Sequence, residues 1–289
     1  MSKEQSPTGA TYDAAFQGSR GAFSEMAAWE LLSPTARLLP CVRLEEVFEA
    51  VTHRTAEYGV VPVENTLAGS IHLSFDLLYE HELFIVAETI CHIEHAVVGA
   101  PGVRLDQVKK VLSHPVALAQ CERFFRMHPE IQSVPEYDTA GAVEKVIKEN
   151  LRDAAAIAGR RTAEIFGGDI LADNIQDHPE NYTRFLLVSR APRPPASGAG
   201  RSKTTIVFKL ANAPGALFRS LRPFAERGVD LTKIESRPIK GSPFEYLFYL
   251  DLVSGPGAAA VVEEAIQELA RSSVSLRVLG TYPLSLNDK

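Results

Sequence analysis

The stretch Asn181-Tyr182-Thr183-Arg184-Phe185 sets a hydroxyl, a guanidinium and an aromatic ring on consecutive residues, just before the apolar run Leu186-Leu187-Val188. Side chains alternate along a strand, so Thr183 and Phe185 share one face and Arg184 points to the other. That layout offers a proton donor beside an aromatic wall, with an always-charged anion clamp close by. Arg184 reads equally as a substrate clamp or as a structural ion pair, and Phe185 as a pocket wall or as core packing.

Other polar clusters follow apolar runs. Tyr58–Val63 ends in Glu64-Asn65-Thr66, an acid, an amide and a hydroxyl that either line a site or satisfy a turn. Ser113-His114-Pro115 opens a predicted helix over Val116–Met127. Gln120 lies about two turns after Ser113 on nearly the same face. Ser113 reads as an N-cap or as a site hydroxyl, and His114 as a half-buried structural histidine or a functional one. Between Phe16 and Ser24, Gly18 and Gly21 mark a strand-to-helix turn whose backbone amides favour a carboxylate. The plainer alternative is a tight turn capped by Ser19 or Ser24. The segment lacks the third glycine and the later acidic partner of a dinucleotide fingerprint.

Hydrolase and metal chemistry find no pattern. There is no Gly-x-Ser-x-Gly elbow to make His114 part of a triad. His92 and His95 lack a His-Glu-x-x-His or paired-cysteine context, so both read as strand or loop residues and no metal site is expected. A cofactor-free site of hydroxyls, amides and one arginine remains.

Alternating strands and helices must position these groups. Strands are predicted at Tyr12–Phe16, Tyr58–Val63, Val108–Leu112 and Ala154–Ala158, and helices at Ala22–Leu32 and Ala140–Glu149. Asp138-Thr139 caps the latter, and Gly167-Gly168 stops the helix after Ala158. The pattern predicts an α/β fold with a parallel or mostly parallel sheet split into two lobes, with ligands beyond the carboxyl ends of the strands. The Pro-, Gly- and Ser-rich segment 191–202 reads as a linker. Beyond it, strand Thr204–Leu210, helix Pro214–Arg227, strand Leu231–Ile239, strand Phe244–Val253, helix Ala258–Ser272 and strand Val274–Tyr282 make a ferredoxin-like βαββαβ unit. Lys240-Gly241-Ser242-Pro243 turns its hairpin. Its open sheet face and edges predict pairing with another copy. Asn212-Ala213-Pro214-Gly215-Ala216-Leu217-Phe218 offers backbone donors at a helix start, with Asn212 as a simple cap in the alternative reading.

The 289 residues, 45% hydrophobic and 23% charged, fit two ordinary globular domains. The three widely spaced cysteines Cys41, Cys91 and Cys121 suggest neither a disulfide framework nor a zinc site. A net charge of −6 with no basic block argues against nucleic acid. No stretch reaches the roughly 18 uninterrupted apolar residues of a membrane span. The N-terminus shows no apolar run after its charges, so a cytoplasmic protein is expected.

Taken in order, the segments Phe16–Glu25, Val61–Thr66, Ser113–Cys121, Asp138–Ala142 and Asn181–Phe185 resemble the prephenate dehydratase family, arogenate dehydratases included. The region after the linker resembles the ACT regulatory domain through Gly215-Ala216-Leu217-Phe218 and Glu235-Ser236-Arg237-Pro238. The resemblance implies a bilobal, periplasmic-binding-protein-like catalytic domain over residues 10–190, its lobes roughly 10–88 with 175–190 and 89–174, and an ACT domain over 203–284. It implies cofactor-free conversion of prephenate to phenylpyruvate, or of arogenate to phenylalanine, and a homodimer or homotetramer. Thr183 is then the essential catalytic residue, aided by Ser113, Gln120 and Asn65. Ser24, Glu64, Thr66, His114, Thr139, Arg184 and Phe185 are expected to contact substrate. L-phenylalanine is the implied effector, held by Asn212, Ala213, Gly215, Ala216, Leu217, Phe218, Glu235, Ser236, Arg237 and Pro238. Val116 replaces the family's usual Gln after the Pro. A non-catalytic amino-acid sensor on the same fold is the rival reading.

Overall fold

The structure, a computed structural model, describes residues 11–193, 195 and 200–285. The Pro7-Thr8-Gly9 tail and residues 194 and 196–199 of the expected linker lie outside the described residues. In chain order the first elements are β1 (Tyr12–Gln17), α1 (Phe23–Leu31), β2 (Leu38–Cys41), α2 (Leu44–Thr52), β3 (Ala56–Asn65), β4 (Gly69–Ser70), α3 (His72–Glu80) and β5 (Phe84–His92). Then come β6 (Ala96–Gly99), β7 (Lys110–Ser113), α4 (Pro115–Ala119), α5 (Glu122–Met127), β8 (Gln132–Pro135), α6 (Thr139–Lys148), β9 (Ala154–Ala158), α7 (Arg161–Phe166), β10 (Asp169–Ala172) and β11 (Tyr182–Ser189).

Two sheets form from these strands. One has the order β2-β1-β3-β11-β5 with β4 on β3, the other β10-β6-β9-β7-β8. Neither is wholly parallel: β4 is antiparallel to β3 in the first, and the second is mixed. β1 runs parallel to β2 and β3, and β7 parallel to β8 and β9, but β6 is antiparallel to β9 and to β10. The second sheet is buried on both faces, as strand alternation requires. Val97, Val111 and Ile157 pack with Ala117 and Phe124 on one side, while Val98, Leu112 and Ala156 pack with Ala142, Val143 and Val146 on the other. The all-buried, small-residue β9 lets helices approach closely.

Local signals explain most boundaries. Asp138 caps α6 by accepting from the amides of Ala140 and Gly141, and Gly167 ends α7 at φ 73°, a left-handed conformation that glycine adopts without strain. The helix expected over Val116–Met127 is instead two, broken at Gln120-Cys121. Asp177 causes the break. Its amide bonds the Gln120 carbonyl at 2.7 Å, and its carboxylate accepts from the amides of Glu122 and Arg123, which caps a fresh helix start.

The last elements are β12 (Ser202–Lys209), α8 (Ala216–Glu226), β13 (Asp230–Pro238), β14 (Tyr246–Ser254), α9 (Ala259–Ser272) and β15 (Ser275–Pro283). They form an antiparallel sheet of order β13-β14-β12-β15 in the expected βαββαβ arrangement. Ile206, Phe208, Leu250 and Leu252 face the helices, against Phe224, Val262, Ile266 and Leu269.

The chain divides into two compact units. One runs through Ile71 and resumes over Thr89–Phe185; the other comprises His72–Glu88 and the chain from Leu186 onward. Within the second unit the sheet face opposite the helices is not open, because α3 lies on it. Tyr249 donates to the Phe75 carbonyl at 2.8 Å, Arg237 holds Asp76 through two nitrogens at 3.1 and 2.9 Å, and Lys233 sits 5.2 Å from the Phe75 ring.

Candidate active site

Three amides and a hydroxyl meet where β3 ends, β11 begins and α4 closes. Asn65, at the last position of β3, shares its two Nδ2 hydrogens among Asn181 Oδ1 at 2.7 Å, the Tyr182 carbonyl at 3.0 Å and Thr183 Oγ1 at 3.0 Å. Its Oδ1 accepts the backbone amides of Leu67 and Ala68 at 3.0 and 2.8 Å. Gln120, at the C-terminal cap of α4, donates from Nε2 to Asn65 Oδ1 at 3.3 Å and accepts from Asn181 Nδ2 at 3.0 Å. Asn65 and Asn181 are buried, whereas Thr183 and Gln120 are half-buried. The cluster therefore backs a hydroxyl that reaches solvent, and it carries no formal charge.

Arg184 turns away from Thr183, as alternation predicts, and pairs with Glu64 at 2.9 Å while only 7% exposed. Of its two sequence readings, the geometry favours the strut: a buried guanidinium set against the neighbouring strand's carboxylate. Phe185 is 2% exposed and belongs to the core rather than to a wall. Thr66 splices the start of β11, its hydroxyl donating to the Glu180 carbonyl at 2.8 Å and accepting the Tyr182 amide at 2.9 Å.

Ser113 does not join the cluster. It is fully buried and donates to the Ile157 carbonyl at 2.6 Å, so its proton is committed to β9. Nor does it cap α4. That place belongs to His114, whose Nδ1 accepts the Val116 amide at 3.3 Å and whose side chain is otherwise exposed. Val116, the departure from the family pattern, is an exposed residue of α4.

The glycine turn differs most from its reading as an anion cradle. The Ser19 amide donates to Asp138 at 3.1 Å and the Gly21 amide to Glu25 at 2.7 Å, while Gly18 bonds the Cys41 carbonyl. The chain's own carboxylates occupy the donors, and Ala22 is the N-cap of α1, with no side-chain cap from Ser19 or Ser24. Ser24 is half-buried in the first turn of α1, and Thr139 half-buried as the first residue of α6.

Two residues that sequence reasoning left out of the site belong beside it. Asn181 is fully buried and touches both Asn65 and Gln120. His95 is 2% exposed, and its Nε2 lies 3.0 Å from Gln120 Oε1. Asn181 stood in the motif itself; His95 carried no spacing signal. Among the described residues, no group of three or more His, Cys, Asp or Glu is disposed to hold a metal ion.

In the second unit, Asn212, Ala213, Ala216 and Leu217 line a cavity of about 260 Å³ together with Phe244, Tyr246 and Phe248. Gly215, at φ 74°, sets the turn into α8, and Phe218 is exposed on it. Glu235, Ser236, Arg237 and Pro238 are not part of this cavity. Glu235 and Arg237 face α3, where they meet His72 at 3.3 Å and Asp76, while Ser236 and Pro238 are exposed on the edge strand.

A family model for prephenate dehydratase matches residues 14–193, and one for the ACT domain matches residues 204–270. Arogenate dehydratase/prephenate dehydratase 2, chloroplastic, of Arabidopsis thaliana is 42% identical over 291 residues, covering 97% of this chain and 75% of that protein. The prephenate dehydratase of Arthrobacter aurescens in complex with L-Phe is similar with a TM-score of 0.83 and 35% identity, covering 94% of this chain and 90% of that one. GqqA, described as a novel type of quorum quenching acylase, is similar with a TM-score of 0.85 and 36% identity, covering 96% and 99%.

Proposed function

The chain belongs to the prephenate dehydratase family, and from that premise we propose that it is a carbon–oxygen lyase converting prephenate to phenylpyruvate in L-phenylalanine biosynthesis. The observation that carries the mechanism is the Asn65–Thr183 hydrogen bond. Because Thr183 Oγ1 accepts there, its own proton is available to a substrate oxygen. The bond from the ring to its carboxylate breaks and carbon dioxide leaves. The released electron pair completes the aromatic ring as the ring C–O bond opens. The departing oxygen takes the Thr183 proton and leaves as water, and solvent restores the proton to Thr183. Aromatisation drives the reaction, so a positioned donor worth about 10²–10⁴-fold suffices as the main chemical device. Asn65 and Gln120 add fixed dipoles beside it. Arg184, neutralised by Glu64, adds no free cation that would hold the departing carboxylate in place.

Arogenate is the alternative substrate, as the name of the Arabidopsis thaliana relative covers both. An acylase reading finds less support. Ser113 is buried with its proton donated, and Thr183 abuts an amide rather than a base. Burial also pushes the thiols up, Cys41 to about 11 and Cys91 and Cys121 to about 12.

L-phenylalanine is the proposed feedback effector, with the 260 Å³ cavity at Asn212–Leu217 as its place in each chain. A dimer or tetramer is proposed too. Ile234, 51% exposed on the edge strand β13, and Phe218, 76% exposed, support self-association. The test is to incubate the purified protein with prephenate or arogenate and to identify the aromatic product, with and without L-phenylalanine, alongside a native-mass measurement. Phenylpyruvate from prephenate is the expected result, and turnover of neither substrate overturns the reading.

A further inference from the structure

The direction of every hydrogen bond around Thr183 follows from two backbone amides. Leu67 and Ala68 N–H groups point at one side-chain atom of Asn65, so that atom is the oxygen and the amide nitrogen faces Asn181 and Thr183. The Asn181 atom that receives it must then be oxygen, which turns the Asn181 nitrogen toward Gln120 Oε1. Gln120 in turn offers its nitrogen to Asn65 Oδ1. Its oxygen is left as the acceptor for the imidazole of His95, 3.0 Å away, so the hydrogen of that ring sits on Nε2. Nδ1 carries the lone pair, and as a buried atom it meets no hydrogen-bonding partner among the described residues.

The imidazole is built in rather than loosely placed. The His95 backbone amide donates to Gln176 Oε1 at 2.9 Å, and Phe23 meets the ring edge-on with centroids 5.9 Å apart. Burial holds the group below the ordinary histidine range, which agrees with a neutral ring. Gln120 Oε1 is therefore gripped by two donors from separate connecting segments, Asn181 and His95. One donor alone leaves the terminal torsion of a glutamine broad; two fix both its plane and its sense.

We infer that His95 is a positioning residue: as a neutral, Nε2-protonated imidazole it locks Gln120 and, through it, the Asn65 amide that keeps Thr183 Oγ1 an acceptor and its proton a donor. Its role in turnover rests on the lyase reading above; its tautomer does not. The test therefore has two arms. Nitrogen-15 NMR of histidine-labelled protein, with the His95 signals assigned by their loss in His95→Gln, reports which ring nitrogen bears hydrogen. The expected result is Nε2–H with a bare Nδ1 at neutral pH, and an Nδ1–H or charged ring overturns the inference whether or not the protein turns over substrate.

The kinetic arm compares His95→Gln, whose amide nitrogen reaches the Nε2 position, with His95→Leu and His95→Asn, which place no donor there. Misplacement of this kind costs about 10–100-fold in kcat. That loss is expected in the Leu and Asn variants, with KM moving less than about threefold, and His95→Gln recovers most of it. Two donorless variants guard against one of them failing to fold, and matched melting curves identify such a failure. Wild-type kcat in a folded donorless variant, equal losses in all three, or a loss confined to KM overturns the positioning role. Failure of wild type itself to convert prephenate or arogenate instead sinks the proposed reaction, and with it any part for His95 in it, leaving the tautomer to the NMR result.

Discussion

The cluster around Thr183 and the α3-covered face of the C-terminal sheet are both polar and partly buried, yet they are built from different materials. Asn65, Asn181, Gln120, Thr183 and His95 form a chain of neutral hydrogen bonds in which each donor finds one direction. The sheet face uses full charges. Lys203 and Glu88 pair at 3.0 Å with side chains 3% and 0% exposed, Arg237 forks onto Asp76, and His72 meets Glu235. Beside them Thr205 donates to Asp251 and bonds Tyr282 at 2.7 Å each. Neutral dipoles can aim a weak acid such as a threonine hydroxyl without competing for the substrate's carboxylates. Buried charges specify partners instead, because leaving one unpaired is far more costly than leaving an amide slightly misaligned. One region is thus expected to respond to mutation in rate, the other in stability.

The sharpest break in that comparison is Thr183→Ala. Its kcat is expected to fall about 10²–10⁴-fold, with unfolding free energy changed by no more than about 0.5 kcal/mol, since the side chain is half-buried and makes a single hydrogen bond. Product formation and urea denaturation on the same preparation check both halves. A variant that kept full kcat would remove Thr183 from the chemistry. The mirror experiment is Lys203→Met, which takes away the ammonium facing the buried Glu88 carboxylate and is expected to cost about 3–5 kcal/mol in denaturation, whereas Lys203→Met with Glu88→Leu recovers most of that loss. If the single variant were harmless, the buried pair would not hold the sheet and its covering segment together.

A smaller effect separates two roles for Arg237. Its two nitrogens lie 3.1 and 2.9 Å from the Asp76 carboxylate, a fork that lysine cannot reproduce. Arg237→Lys is expected to cost about 1–3 kcal/mol of stability while L-phenylalanine affinity, read by calorimetry, stays within about threefold. Loss of binding without loss of stability would restore Arg237 to the effector site.

Much of this was legible beforehand because it is local. Asp138 as a cap, Gly167 as a helix stop, the six elements of the βαββαβ unit and the placing of Asn65 and Thr183 at the ends of strands all depend on neighbours in sequence. What was not legible depends on distant partners. The glycine turn reads as an anion site until Asp138, 119 residues away, is seen to take its amide. Ser113 reads as a cap or a catalyst until the Ile157 carbonyl claims its proton. The break at Gln120 needs Asp177, and the covering of the sheet by α3 needs contacts more than 150 residues apart. Histidine spacing raised no expectation of a metal site, and it was silent about an imidazole that serves as a hydrogen-bond donor to an amide.

The smallest effect reaches back into the neutral cluster and asks whether it stays neutral. Burial lowers the His95 pKa in the folded protein relative to its ordinary value near 6.5. The unfolded chain therefore binds a proton at a higher pH than the folded one does, and stability from this group is fully present above the unfolded pKa. It is lost as pH falls through about 6.5 toward the lower folded value, with a slope of at most about 1.4 kcal/mol per pH unit from one proton. Urea denaturation from pH 8 to pH 5 is expected to show this decline in wild type and a flatter curve in His95→Gln, which cannot titrate. Parallel curves would mean that His95 is charged or hydrated in the folded state. An imidazolium next to Gln120 would then place a full charge in the Thr183 cluster, and the contrast between an aimed, uncharged site and a charge-registered sheet would no longer hold.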